Sequence, residues 1–156
     1  MNNPKNQNNI SRYVKLEDYT VFDYEIPEIF LDFAIKKNAV NVTTKLKLVK
    51  KNKNTRNLIL DGTDILINKI FIDDSLLGKE YYKQQKNILK IENINKDIFL
   101  LKIEGIIKPK ENTSLLGMYE SNGIITTQCE AEGFRRISFH SDSCLLYTSP
   151  SPRDTG

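Results

Sequence analysis

Residues 128–137 read Q-C-E-A-E-G-F-R-R-I, and this stretch differs in character from the apolar runs on its N-terminal side. Four of its ten residues are ionised at neutral pH: Glu130, Glu132, Arg135 and Arg136. These charges surround Gly133, which is followed by an aromatic ring. Acidic and basic residues clustered around a glycine and an aromatic residue are not typical of a solvated loop. We therefore predict a chain reversal at Gly133 whose charged groups are held by partners.

Short apolar runs separated by turn residues fill the chain before this stretch. Residues 29–35 and 40–48 each alternate apolar and polar positions, which predicts two strands that pair antiparallel. The nearly continuous apolar run 65–72 predicts a strand covered on both faces, and run 97–107 predicts a further strand with a candidate bulge at Gly105. Residues 121–123, S-N-G, predict a hairpin before a last strand at 124–128. The fold class is mostly β, an antiparallel β-sandwich or saddle.

Composition places the chain among single-domain globular proteins. Its 156 residues suffice for one core, 39% of them are hydrophobic and 28% charged, and the net charge is +3. No apolar run approaches the ~20 residues of a membrane span, and no secretory signal is visible, so we predict a cytoplasmic protein without a membrane partner. The basic run 50–56 lacks aromatic residues that could stack a base. We interpret it as a solvated loop and predict no nucleic-acid partner.

Catalytic chemistry is not complete in this sequence. A metallopeptidase of the H-E-x-x-H type needs two histidines on one helix face, and this chain has the single histidine His140. Without a spaced partner, His140 is predicted to be a core or strand residue rather than a ligand. Cys129 has no recognisable oxyanion geometry near it in sequence, so a small buried thiol is the favoured interpretation.

The stretch 128–137 resembles a signature near the end of the N-terminal β domain of bacterial-type aminopeptidase N, a zinc metallopeptidase. Three further segments resemble that family in the same order. Residues 112–119, N-T-S-L-L-G-M-Y, are similar to its N-T-A-L-E-G-L-Y, residues 58–64, L-I-L-D-G-T-D, to its L-x-L-D-G-x-D, and residues 15–19, K-L-E-D-Y, to its opening segment. The resemblance runs from residue 15 to residue 142.

The resemblance implies a domain division and a role. Residues 15–142 are expected to form a truncated N-terminal β domain, after a disordered segment 1–14. Residues 143–156 are expected to be a non-native tail, because C-L-L-Y-T-S-P-S-P-R-D at 144–154 resembles a translated sequencing adapter. The expected fragment belongs to a zinc-dependent aminopeptidase that removes N-terminal residues from peptides. Its zinc ligands lie in the missing catalytic domain, so the fragment alone is expected to be inactive.

Two residues carry over from the family signature. Glu130 is expected to bind the substrate α-ammonium group, together with a glutamate of the G-A-M-E-N segment that this chain lacks, and Gln128 is expected to line the first substrate pocket. On a strand, the two side chains would share a face. The alternative is that Glu130 has a structural role and forms an ion pair with Arg135 or Arg136. For the whole chain, the alternative function is a free-standing β-sandwich module that binds a protein or peptide partner through its edge strands.

Overall fold

The computed structural model describes residues 22–129 and 133–141, and the structural statements below concern those residues. Their strands are, in chain order, β1 (Tyr24–Ile35), β2 (Val40–Lys50), β3 (Leu58–Asp61), β4 (Leu66–Ile72), β5 (Ser75–Leu76), β6 (Tyr82–Gln84), β7 (Ile88–Ile91), β8 (Ile98–Ile107), β9 (Gly117–Ser121) and β10 (Ile124–Gln128). Single 3-10 turns occupy Lys79–Tyr81, Pro109–Glu111 and Phe134–Arg136. Within the described ranges, no helix is long and apolar enough to cross a bilayer.

The strands form three antiparallel sheets. A five-stranded sheet has the order β1-β2-β8-β4-β5, a three-stranded sheet has the order β3-β7-β6, and β9 pairs with β10. The hairpin predicted at residues 121–123 is confirmed, since Asn122 and Gly123 connect β9 to β10 with φ values of 52° and 79°. These positive φ values are those of the tight turns that suit a hairpin. The mostly β, antiparallel fold class is confirmed.

The core lies on one face of the five-stranded sheet. Strand β2 alternates as its sequence predicts, with Val40, Val42, Leu46 and Leu48 all 2% exposed or less. Three of these positions are in register with apolar side chains of β8, such as Leu101 opposite Leu46, and Val42 is opposite Gly105. The same hydrophobic cluster contains Leu58 and Leu60 of β3, with Leu89 and Ile91 of β7. The core therefore joins the two larger sheets.

Strand β1 is longer and more exposed than its alternation predicts. It begins at Tyr24, and it forms the edge of the five-stranded sheet. Ile29, Phe33 and Ile35 are in register with buried positions of β2, yet they remain 43%, 40% and 65% exposed. The buried core residues of this sheet lie mainly on β2 and β8, and Tyr24 is the buried residue that β1 adds to them. An alternating pattern identifies the apolar face of a strand, but it does not show whether another layer reaches that face.

Strand β4 is not covered on both faces, so this part of the sequence prediction is wrong. Leu66 is 54% exposed, whereas Ile70 is fully buried against the core. A register shift between Ile67 and Lys69 interrupts the pairing of β4 with β8. The bulge predicted at Gly105 of β8 therefore lies in β4 instead, directly after Ile67, which is the partner of Gly105.

The basic run after β2 is a loop, as predicted, except at its first residue. Residues 51–54 are exposed, but Lys50 is only 9% exposed and ends the strand. Its Nζ donates a 2.7 Å hydrogen bond to the carbonyl oxygen of Ile94. The aliphatic stem can thus be buried while the ammonium group keeps a partner.

Candidate functional site

Strand β10 delivers the predicted binding residue Gln128 to the end of the β9–β10 hairpin. Gln128 is the last residue of the strand, is half-buried, and is in register with Gly117, the first residue of β9. Glu130 lies outside the described residues. The prediction that Gln128 and Glu130 share one strand face therefore stays a prediction, and β10 itself ends at Gln128.

The reversal predicted at Gly133 is confirmed by a single 3-10 turn over Phe134–Arg136. The backbone N–H of Arg136 donates to the Gly133 carbonyl at 3.1 Å, and the N–H groups of Ile137 and Ser138 both donate to the Phe134 carbonyl, at 2.9 and 3.1 Å. This turn directs the following residues into the core, where Ile137 and Phe139 are 3% and 1% exposed. Three hydrogen bonds and two buried side chains hold the turn in place.

The turn is held by the segment 61–64, which belongs to the L-I-L-D-G-T-D motif. Asp61 and His140 exchange two backbone hydrogen bonds, of 2.6 and 3.1 Å. The Thr63 N–H donates to the Arg135 carbonyl at 2.9 Å. Gly62 is buried directly against the ring of Phe139, with no room for a side chain between them. The predicted turn at Asp61-Gly62 is therefore also a packing site.

An ion pair joins the same two segments at the surface. The guanidinium of Arg136 lies 2.8 Å from the carboxylate of Asp64, and their side chains are 26% and 78% exposed. At such exposure an ion pair contributes only about 0–1 kcal/mol, so this one orients the Arg136 side chain more than it stabilises the fold. The charged group predicted to need a partner has one, but that partner lies 72 residues away in the chain rather than within the signature.

The N-T-S-L-L-G-M-Y segment contacts the turn from the other side. The Asn112 side-chain amide donates to the carbonyl oxygens of Leu116 and Met118, at 2.7 and 2.9 Å. These bonds shape the entry to β9. At its first residue, Gly117, the backbone approaches Arg136 and Gly133 so closely that a Cβ there would lie 2.6 Å from the Arg136 Cβ. We call residues 61–64, 112–118 and 133–140 together the motif frame.

The motif frame brings three separate sequence motifs into contact. They are distant in the chain, and the fold brings them together around the end of β10. The sequence singled out the segments through a resemblance. It did not show the Asp64–Arg136 ion pair or the approach of Gly117 to the turn, because neither contact has a periodic or compositional signal.

His140 is a core residue, as the sequence predicts. It is 6% exposed, its ring meets that of Phe134 edge-on at a centroid distance of 5.5 Å, and its Nδ1 lies 3.0 Å from the Ser141 carbonyl oxygen. Among residues 22–129 and 133–141, no three histidine, cysteine or acidic side chains are grouped so that they could hold a metal ion. The described residues therefore do not fit a zinc site of the kind that a metallopeptidase needs.

Cys129 is exposed, so the prediction of a small buried thiol is wrong. It follows directly on the last residue of β10, where the chain leaves the hairpin. Partial desolvation raises the pKa of its thiol, whereas an activated nucleophile needs a lowered pKa. The residue is accessible without being chemically activated.

An open cavity of about 620 Å³ borders the motif frame on the side of Asp64, Asn112 and Arg136. Its wall includes apolar side chains of Ile65 and Ile106. Gln128 is not part of this lining, so the cavity and the end of β10 are separate features of the surface.

Known proteins resemble this chain over most of its described length. Aminopeptidase N of Escherichia coli is 35% identical over 125 residues, which are 80% of this chain and 14% of that protein. The crystal structure of Legionella pneumophila aminopeptidase A in complex with aspartic acid has a TM-score of 0.73 at 30% identity, over 83% of this chain and 15% of that one. An M1 zinc metallopeptidase from Deinococcus radiodurans, at 11% identity and a TM-score of 0.62 over 77% of this chain and 29% of that one, shares the fold.

These comparisons show which proteins the chain resembles and how much of their length it covers. No protein-family model matches the chain. The chain spans about a seventh of the length of the relative from Escherichia coli, since it covers 14% of it. Sequence similarity above 30% and an antiparallel β fold with a matching solved structure agree on one group of proteins. In sequence and fold, this chain is of the aminopeptidase N type, corresponding to an N-terminal part of such proteins.

Proposed function

We propose that this chain forms part of a zinc-dependent aminopeptidase and that its share of the work is recognition of the peptide N-terminus. The observation that carries the proposal is the 35% identity to aminopeptidase N over 80% of the chain. Because the chain corresponds to only 14% of that relative, the zinc ligands and the hydrolytic step are assigned to polypeptide outside it. The chain alone should then not hydrolyse peptides.

Recognition of a free N-terminus is an electrostatic problem. A carboxylate in a partly desolvated cleft binds an α-ammonium group strongly, because the attraction is greater there than in water. An internal amide is uncharged and cannot offset the desolvation of the carboxylate, so it is rejected. We assign this carboxylate to Glu130, two residues beyond the end of β10.

Gln128 is assigned to the wall of the first substrate pocket. Its amide can donate and accept hydrogen bonds, and its half-buried position at the end of β10 supports a role at the border between core and cleft. The motif frame supports the assignment because it holds the strand end on one side and the 3-10 turn on the other. The residues on both sides of the segment that contains Glu130 therefore have backbone partners in the motif frame, Gly117 for Gln128 and Thr63 for Arg135.

The test is a chimera in which residues 22–141 replace the matching segment of Escherichia coli aminopeptidase N. In it, Glu130→Ala should lower kcat/KM for an aminoacyl chromogenic substrate by about 30-fold or more, the kinetic equivalent of losing a buried charge-assisted contact of 2 kcal/mol or more. Glu120→Ala, a glutamate of β9 in the same hairpin, is the matched control and should leave kcat/KM within about twofold. Equal effects of the two substitutions would defeat the assignment.

The exposed face of β1 favours a second candidate, the free-standing interaction module. A 12-residue edge strand with exposed isoleucine and phenylalanine side chains can bind a partner strand or a covering domain. Under the main proposal, the remaining polypeptide of the same enzyme is the partner that covers this face. The gene distinguishes the two: a G-A-M-E-N segment and an H-E-x-x-H motif downstream of residue 142 support the enzyme, and a native stop codon there supports the module.

A further inference from the structure

Asn122 and Gly123 form the turn at the tip of the β9–β10 hairpin, and they are the single Asn-Gly pair among the 156 residues. Both residues are exposed, as are their neighbours Ser121 and Ile124. Their φ values of 52° and 79° lie in the left-handed region, which glycine adopts freely and asparagine tolerates. The proposed function uses the other end of this hairpin, at Gln128, and gives the tip no role.

The backbone nitrogen of Gly123 is open to reaction with the side chain that precedes it. Among the described residues, no hydrogen bond engages the Gly123 N–H group or the Asn122 side-chain amide. An ideal Cβ at position 123 would meet no atom within 4 Å, so nothing packs against this side of the turn. Glycine itself has no side chain that shields its nitrogen. When the turn opens, this nitrogen can therefore approach the Asn122 Cγ.

Opening of the turn requires little free energy, because the hairpin is a separate sheet. In the described ranges, β9 and β10 pair with each other and with no third strand. A two-stranded sheet is only marginally stable by itself. The close contact of Gly117 with the 3-10 turn lies at the opposite end of the hairpin from the tip. The tip is thus free to open locally while the core remains folded.

We propose that Asn122 is a site of non-enzymatic deamidation, with water as the co-reactant. The Gly123 nitrogen gives up its proton and forms a bond to the Asn122 Cγ, while the bond from Cγ to the side-chain nitrogen breaks and that nitrogen leaves as ammonia. Water then opens the resulting succinimide ring. Opening at the side-chain carbonyl gives aspartate, and opening at the main-chain carbonyl gives isoaspartate, whose main chain runs through the former side chain. One water is consumed and one ammonia released, without oxidation or reduction.

Asn52 and Asn54 are matched controls in another loop, and both are exposed. Asn52 is followed by Lys53, whose side chain shields the backbone nitrogen that would attack. The Thr55 N–H, which would attack Asn54, donates a 3.1 Å hydrogen bond to the Asn52 carbonyl oxygen. These two residues share the exposure of Asn122 but lack its free glycine nitrogen, so one sample of the chain contains both the site and its controls.

The 156-residue chain is incubated at mildly alkaline pH, digested at intervals and followed by mass spectrometry with fragmentation that distinguishes isoaspartate from aspartate. Asn122 should deamidate at least about 10-fold faster than Asn52 or Asn54, which corresponds to a difference of about 1.4 kcal/mol in activation free energy. Both isomeric products should form. Equal rates at the three asparagines would overturn the proposal. Aspartate without isoaspartate would overturn it too, since direct hydrolysis of the amide yields no isoaspartate.

Gly123→Ala tests the attacking nitrogen. The added methyl group shields that nitrogen, so the reaction at Asn122 should slow at least about fivefold. Because the φ of +79° also strains an alanine, the same comparison is made in urea, where the strain is absent, and the same slowing should be found there. A rate that is unchanged by Gly123→Ala in urea would contradict the mechanism.

Isoaspartate at position 122 lengthens the turn, because it adds a main-chain atom between Ser121 and Ile124, which are register partners across a two-residue loop. The net charge of +3 falls by one, so cation exchange separates the modified chain. In its isoaspartate form, amide hydrogen exchange in β9 and β10 should be faster by about threefold or more, with β2 unchanged. Equal exchange in the two forms would contradict the effect on the hairpin. The proposal does not depend on the proposed function, which Glu130→Ala tests separately.

Discussion

A buried hydroxyl pair ties β2 to the motif frame, and its removal gives an asymmetric prediction. Thr44 Oγ1 and Ser138 Oγ lie 2.7 Å apart, and the two residues are 2% and 1% exposed. Ser138 Oγ also donates to the Phe139 carbonyl oxygen at 3.2 Å, so Thr44 is the donor to Ser138. The two hydroxyls thus form a short chain that ends on a backbone carbonyl.

Ser138→Ala leaves the Thr44 hydroxyl buried without that acceptor, which should cost about 1–3 kcal/mol. Thr44→Val should cost less than about 1 kcal/mol, because Ser138 keeps its bond to the Phe139 carbonyl oxygen and valine has nearly the same shape as threonine. The double variant Thr44→Val/Ser138→Ala should be more stable than Ser138→Ala alone, since no buried donor then remains unpaired. Thr44→Val therefore restores part of the stability that Ser138→Ala removes.

Urea unfolding of the four proteins, followed by tyrosine fluorescence and circular dichroism, measures the three differences in the free energy of unfolding. The m-values should agree, because the surface exposed on unfolding is unchanged. A cost below about 0.5 kcal/mol for Ser138→Ala would refute the reasoning, since it would mean that the Thr44 hydroxyl is satisfied elsewhere. A double variant less stable than Ser138→Ala would refute it equally.

Three further predictions concern packing and pH. Gly62→Ala should destabilise the chain by about 1–3 kcal/mol through contact with the Phe139 ring, and Phe139→Leu should reduce that cost in a double-mutant cycle; additive free energies from urea unfolding would contradict this. The Leu100 N–H and then the Lys96 ammonium hold the pKa of Asp73 below its ordinary value. The stability that this carboxylate contributes is therefore present above about pH 4 and is lost as the pH falls further. Acid unfolding of Asp73→Asn should accordingly be less steep below about pH 4, and an unchanged acid limb would count against it. Burial raises the pKa of Tyr24 to about 12, so its contribution is present below pH 10 and is lost as pH rises towards 12; Tyr24→Phe should remove that part of the alkaline destabilisation, and a Tyr24 that titrates near pH 10 by ultraviolet absorbance would disprove it.

The strands could be predicted from sequence because their signals are local. Alternation gave β2 and the S-N-G turn gave the β9–β10 hairpin, with β10 ending at the predicted residue. Coverage could not be predicted in this way. Whether the apolar face of β1 is buried depends on how far a second sheet extends, and the run at 65–72 looks buried only because lipophilic residues also occupy the outer face of β4.

The site shows the same division between local and non-local information. Gln128 and the turn at Gly133 were marked by their own stretch of sequence. The partner of Arg136 was not, because Asp64 lies 72 residues earlier and the fold brings the two segments together, in part through the pairing of Asp61 with His140. Burial of Cys129 was predicted wrongly because free thiols are usually buried, whereas this one directly follows the last residue of the β9–β10 hairpin and is exposed.

The most direct test is a crystal structure of the chimera with a bound peptide or product amino acid. The account predicts that the α-amino nitrogen lies about 2.7–3.2 Å from a carboxylate oxygen of Glu130, with the Gln128 side chain in contact with the first residue of the ligand. An α-amino group held by other residues, with the Glu130 carboxylate more than about 6 Å away, would contradict it.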